Sequence, residues 1–201
     1  MALISLGESE CPLCGETLAD ASFVCFPFLE FCDAETRKLS DSGAHFACIR
    51  RHPNRRAWED VYRNCFGADG VDADGSRVSS PTESVRVLVD GRSIRLCHAP
   101  TFLILRMPLR AAQNWLAASF WQDVESRNGA SFEDQGIEFS VNRLGGATQL
   151  DLRVGPWACT PRTCADAGLV QEARRVVDDS EAQACVRELR TGLASALQEL
   201  A

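Results

Sequence analysis

Four residues carry the clearest chemistry in this sequence. Cys11-Pro12-Leu13-Cys14-Gly15 is a CxxC followed by glycine, and His45-Phe46-Ala47-Cys48 is an HxxC. Two thiolates on one tight turn form half of a tetrahedral set, and Gly15 supplies the positive φ that such a turn often needs. On a helix, residues i and i+3 share a face. Ser40-Asp41-Ser42-Gly43 offers N-cap residues just ahead of the second pair, so His45 and Cys48 are predicted in the first turn of a helix. Together Cys11, Cys14, His45 and Cys48 make a Cys3His set. Such a set closes around one structural zinc ion and leaves no position for water.

The chain has ten cysteines, an even count that in a secreted chain would suggest a disulfide framework. The N-terminus, Met-Ala-Leu-Ile-Ser-Leu-Gly-Glu, has neither the basic stretch nor the apolar stretch of a signal peptide. The expected location is therefore the cytoplasm, where thiols stay reduced and closely spaced cysteines are metal ligands more often than disulfides. Cys25, Cys32 and Cys65 alternate with phenylalanines and are expected in the core, with Cys32-Asp33 the nearest competitor for a ligand position. Cys97-His98 and Cys159…Cys164 could form a second site only if the fold joined them. Asp72-Ala73-Asp74-Gly75 fails as a calcium loop, because aligning its glycine puts Gly70 and Pro81 at ligand positions.

These residues need elements to hold them. Phe23–Leu39 reads as a hairpin, with Ser22–Phe26 strand-like and Glu35–Leu39 a polar return. Helices are predicted over Ala44–Arg51 and Arg55–Phe66; the second places Trp58, Val61, Tyr62 and Cys65 on one stripe. Gly67–Ser84 is acidic, rich in Gly and Ser, and reads as a linker. Beyond it, Val85–Val89 and Ser93–Cys97 flank Asp90-Gly91, a strong hairpin signal. Thr101–Met107 is a third strand, and Pro108 opens a helix predicted to reach Arg127. Gly136–Asn142 and Thr148–Val154 form a hairpin around Leu144-Gly145-Gly146. Helices over Asp166–Val177 and Glu181–Leu200 close the chain. The expected class is α+β: a small zinc domain over 1–66, a linker over 67–84, and an α+β domain with antiparallel hairpins and C-terminal helices over 85–201.

The knuckle, hairpin and helix of about Glu10–Phe66 resemble a treble-clef zinc domain, the grouping that holds LIM-like, RING-like and HNH-type modules. That resemblance implies a zinc fold but no single activity. Its nuclease branch needs a general-base histidine near the hairpin, and Phe23–Leu39 contains none. No family is recognised over 85–201.

Composition narrows the function further. With 201 residues, 45% hydrophobic, 24% charged and a net charge of −7, the chain is a globular protein. It is too acidic to coat nucleic acid or anionic membrane with its whole surface. No run of residues approaches the ~20 apolar positions of a membrane span. One lysine against twenty arginines fits a GC-rich bacterial source. The leading expectation is a non-enzymatic interaction protein with a protein partner, in its narrowest form an immunity protein neutralising a toxin. The alternative is a nucleic-acid-binding protein, or a degenerate HNH-type nuclease, gripping phosphates with Arg50, Arg51, Arg55 and Arg56. No Ser/His/Asp set or phosphate loop is evident, and Glu133, Asp134 and Glu138 read as solvated carboxylates.

Overall fold

A computed structural model describes residues 4–26, 28–29, 32–68, 77–79, 82–89, 93–118, 121–122, 129–134, 137–154 and 171–199. The class is α+β, with antiparallel sheets, a long C-terminal helix and an N-terminal Cys/His cluster.

In the N-terminal third, β1 (Phe23–Cys25) pairs antiparallel with β2 (Gly43–His45), Phe23 opposite His45 and Cys25 opposite Gly43. The return strand is therefore not Glu35–Leu39. That segment contains a short helix, α1 (Ala34–Arg37), capped by Asp33, whose carboxylate accepts the N–H groups of Glu35 and Thr36. Asp33 is a strong N-cap, and it turns the polar stretch into a helical corner. Alternation along β1 turns Val24 inward and leaves Cys25 exposed, so Cys25 does not join the core. Cys32 is half-buried, and the Cys65 side chain lies outside the described residues. Two helices follow, α2 (Phe46–Arg51) and α3 (Arg55–Ala68). The predicted stripe on α3 buries Trp58 and Tyr62.

Part of the expected linker is strand. Arg77–Ser79 (β3) pairs with β4 (Val85–Val89), because Val78 and its neighbours extend an otherwise open sheet edge. The first large sheet has the order β3-β4-β5-β6, with β5 at Ser93–His98 and β6 at Leu103–Pro108. A 3-10 turn, Ala99–Thr101, joins β5 to β6. Pro108 ends the strand and caps α4 (Leu109–Ala117). That helix stops ten residues short of the predicted Arg127: Ala118 is already extended, and Trp121 returns to donate its indole N–H to the Trp115 carbonyl. Trp121 stacks on Trp115, with centroids 4.9 Å apart. The remaining stretch to Arg127 lies largely outside the described residues.

The second large sheet has the order β10-β9-β8-β7, antiparallel throughout. It comprises β7 (Ala130–Asp134), β8 (Ile137–Leu144), β9 (Ala147–Val154) and β10 (Gln171–Asp178). Ile137, Phe139 and Val141 face inward, as their period of two predicts. Gly145 and Gly146 both have positive φ, which is what a two-residue hairpin turn requires. β10 corrects the sequence reading, which placed a helix there. Its Ala, Arg and Glu favour a helix, but pairing along the whole of β9 overrides that preference, and Arg175 and Val177 point inward. Residues 166–170 lie outside the described set.

The chain closes with α5 (Asp179–Glu199). Cys185, Leu189, Leu193 and Ala196 are buried on one face, while Leu197 is half-buried. At Gly192 the helix approaches β4 so closely that a Cβ would stand 2.8 Å from Val85 Cγ1. The apolar core is continuous, running from Leu18 and Ile49 through an aromatic group of Phe26, Tyr62 and Phe102 to Leu193. No described helix is long and apolar enough to cross a membrane.

Candidate metal centre

The first pair of ligands sits on a closed knuckle. Cys11 N–H donates to the Glu16 carbonyl and Gly15 N–H donates to the Cys11 carbonyl, both at 2.8 Å. Gly15 has φ +76°, a conformation that costs glycine little. The second pair comes from the β2–α2 junction. His45 is the last residue of β2 and the N-cap of α2, so it stands outside the helix rather than in its first turn, and Cys48 follows within that turn. The displacement has a local cause: His45 is held in the ladder opposite Phe23.

The four ligand atoms of Cys11, Cys14, His45 and Cys48 all lie within 4.8 Å of one another. His45 Nδ1 is 3.4 Å from Cys14 Sγ, and His45 N–H points to Cys11 Sγ at 3.4 Å. Cys11 is buried, His45 and Cys48 are half-buried, and Cys14 is exposed. Burial alone would push the Cys11 thiol up, but N–H groups of His45, Leu13 and Cys14, with the Cys14 side chain, more than offset it and bring the thiol below its ordinary value. Cys48 goes the other way. Burial, its hydrogen bond with Cys14 and the charges of Cys11 and Cys14 push it up to about 12. A bound dication would reverse that repulsion. Three sulfurs and one imidazole suit zinc, and four protein ligands leave a tetrahedral ion no open position. The cluster can therefore hold a metal as a structural staple.

The remaining candidates fall elsewhere. Cys32 directs its thiol to the Leu29 carbonyl and Asp33 caps α1, so neither enters the cluster. His52 stacks on Trp58 at 4.3 Å, and its Nδ1 accepts the Asn54 N–H. Cys97 and His98 are buried and belong to no metal-holding group among the described residues; Cys159 and Cys164 lie outside those residues. Glu133 and Glu138 face each other across β7 and β8 and are exposed, while Asp134 accepts from Asn114.

The four arginines divide. Arg50 reaches Glu181 at 2.6 Å, Asp178 at 3.3 Å and the Val176 carbonyl. Arg55 reaches Glu59 at 2.6 Å, Glu181 at 2.8 Å and the Pro100 carbonyl. Arg51 and Arg56 remain exposed. The fold thus spends two of the four expected phosphate contacts on its own carboxylates.

Two polar features were not foreseen. His98 lies between Thr101 Oγ1 and Glu188 Oε2, with Cys185 against Thr101. Arg175, 3% exposed, donates to the carbonyls of Thr101, Phe102, Ala21 and Arg174. Neither has a full short-range signal, because Glu188 lies ninety residues from His98, and Thr101, Phe102 and Ala21 all lie more than seventy residues from Arg175.

The fold and site define a class, an α+β protein with a Cys3His metal-binding cluster. No protein-family description, curated protein or solved structure matches the chain.

Proposed function

We propose that this chain is a non-enzymatic protein-interaction protein whose N-terminal third is a treble-clef-like module folded around one structural zinc ion. The carrying observation is the closed Cys3His set, with all ligand atoms within 4.8 Å. Its ligands come from a knuckle, the end of a hairpin and the first turn of a helix, the order expected of a treble clef. A region of this size has a marginal core of its own, and zinc binding would couple directly to its folding. The engagement of His52 with Trp58 and of His98 in the interior supports a binding role over catalysis. The internal pairing of Arg50 and Arg55 weighs against nucleic acid as the partner.

The full chain, purified without chelators, should carry about one zinc per molecule. Metal content near zero would remove the zinc reading. Capture from the native host with the zinc-loaded chain should yield a protein that then binds the purified chain stoichiometrically and fails to bind Cys14→Ser. In the narrower form, that partner is a toxin whose host survives only when this chain is co-expressed. A salt-sensitive gel shift that Arg51→Ala and Arg56→Ala abolish would instead favour nucleic acid.

A further inference from the structure

Helix α2 joins the metal cluster, through His45 and Cys48 at its start, to the rest of the protein, through Phe46 and Arg50. Six residues are far too few for a stable isolated helix, so outside contacts must fix it. Its N-cap is His45 and its first turn holds Cys48. Phe46 is buried beneath the Arg175 guanidinium, 5.2 Å from the ring centroid. Arg50, two residues beyond Cys48, grips Glu181 Oε2 and the Val176 carbonyl where β10 meets α5. Glu181 gives its other oxygen to Arg55 at 2.8 Å, so one half-buried carboxylate serves two arginines on either side of the α2–α3 corner. Nearby, Arg174 N–H of β10 donates to the Ala21 carbonyl at 2.9 Å, placing the β1–β2 module along the outer edge of the second sheet.

From this arrangement we propose that metal binding and docking are one linked equilibrium: the metal fixes α2, α2 presents Arg50 and Phe46 to β10 and α5, and loss of the metal opens the seam. The proposal rests on the metal reading above. Linkage makes it reciprocal: whatever factor the metal adds to docking, docking adds to metal affinity. Carboxylates at the β10–α5 junction, Asp178 and Glu181, more than a hundred residues from any ligand in sequence, thereby become determinants of how tightly the metal is held.

The test uses the full chain and zinc alone, with affinity read by competition against a chromophoric chelator. Glu181→Gln should hold zinc roughly ten-fold less tightly than the parent, within the usual range of coupling between sites. Asp178→Asn, a milder change at an exposed carboxylate, should shift affinity in the same direction by a smaller factor. In parallel, removing zinc from the parent should speed hydrogen exchange at the Arg174 amide while Phe139 and Val141 in β8 stay protected. Zinc bound at one per chain with unchanged affinity in both variants would overturn the coupling and leave the metal reading standing. An Arg174 amide indifferent to zinc removal would do the same. A parent chain that takes up no zinc would overturn both.

Discussion

Raising the pH from about 6 to about 10 should release a latch built around His98. The imidazole is 2% exposed, its Nδ1 lies 2.8 Å from Thr101 Oγ1, and its Nε2 lies 3.2 Å from Glu188 Oε2. Burial by itself would pull the imidazolium down from its ordinary 6.5, but Cys185 and the Glu188 carboxylate outweigh it and raise it to about 9. At about 1.4 kcal/mol per unit, that difference is worth about 3 kcal/mol. The folded value lies above the unfolded one, so the contribution is complete below pH 6.5 and disappears as the pH climbs through 9. Glu188 has the opposite sign. The hydrogen bond from His98 holds its carboxyl below 4.5, so its share is present above that pH and lost in acid. Both are fully in place between pH 4.5 and 6.5. Urea unfolding of the parent and of His98→Gln, compared across pH, isolates the effect, because thiols of the unfolded chain titrate alike in both. The stability difference between them should shrink by about 3 kcal/mol from pH 6.5 to about 10. Proton NMR should place the His98 midpoint near 9 in the parent and lower in Glu188→Gln. A parent midpoint at or below 6.5, or a stability difference flat with pH, would refute the reasoning.

Other substitutions separate the remaining contributions. Cys14→Ser should abolish the bound zinc and lower the melting temperature, whereas Cys32→Ser, outside the cluster, should keep one zinc per chain; metal analysis with calorimetry decides. Gly192→Ala should destabilise by about 1–3 kcal/mol in urea titration despite its better helix propensity, because the new Cβ meets Val85 in a packed interface. Arg51→Ala and Arg56→Ala, both exposed, should each change stability by less than about 0.5 kcal/mol. Arg55→Ala leaves the half-buried Glu181 short of one partner and should cost about 2 kcal/mol in the same assay.

The Cys3His cluster is legible in the sequence because its pattern is local. A CxxC-Gly and an HxxC announce themselves by spacing, and only the position of His45, strand end rather than helix interior, needed the fold. The β8–β9 hairpin was legible for the same reason, through alternation and two glycines. The strand at Gln171–Asp178 was not. Its composition favours a helix, and what makes it a strand is the edge of β9, which no window along the sequence contains. The same holds for His98 with Glu188, ninety residues apart, and for Arg50 with Glu181. Charged residues read as a solvated or phosphate-gripping patch became internal clamps once the fold delivered carboxylates to them.

Arg175 shows what such clamps demand. A buried cation ordinarily needs a carboxylate, yet among the described residues none pairs with it. Its fixed fork of five donors is met by backbone carbonyls: Thr101 at 2.9 Å, Phe102 at 3.2 Å, Arg174 at 2.8 Å and Ala21 at 3.5 Å. Burial still brings the guanidinium down to about 10, so it remains charged at neutral pH. Phe102 supplies its carbonyl from a left-handed conformation, φ +51°, which for a bulky side chain costs of order 1–3 kcal/mol. That carbonyl also accepts the Tyr62 hydroxyl at 3.1 Å. The strained turn and the buried charge therefore support each other: the turn aims oxygens that the guanidinium requires, and the guanidinium and Tyr62 hold the turn. Ala21 belongs to the N-terminal module, Thr101 and Phe102 to the β5–β6 turn, and Arg175 to β10, so three parts of the chain meet at one side chain. An apolar residue at 175 would keep contact area and satisfy none of these carbonyls. Hydrogen-bond geometry at this one position therefore adds directional contacts to the apolar area that joins the N-terminal strands to the sheet.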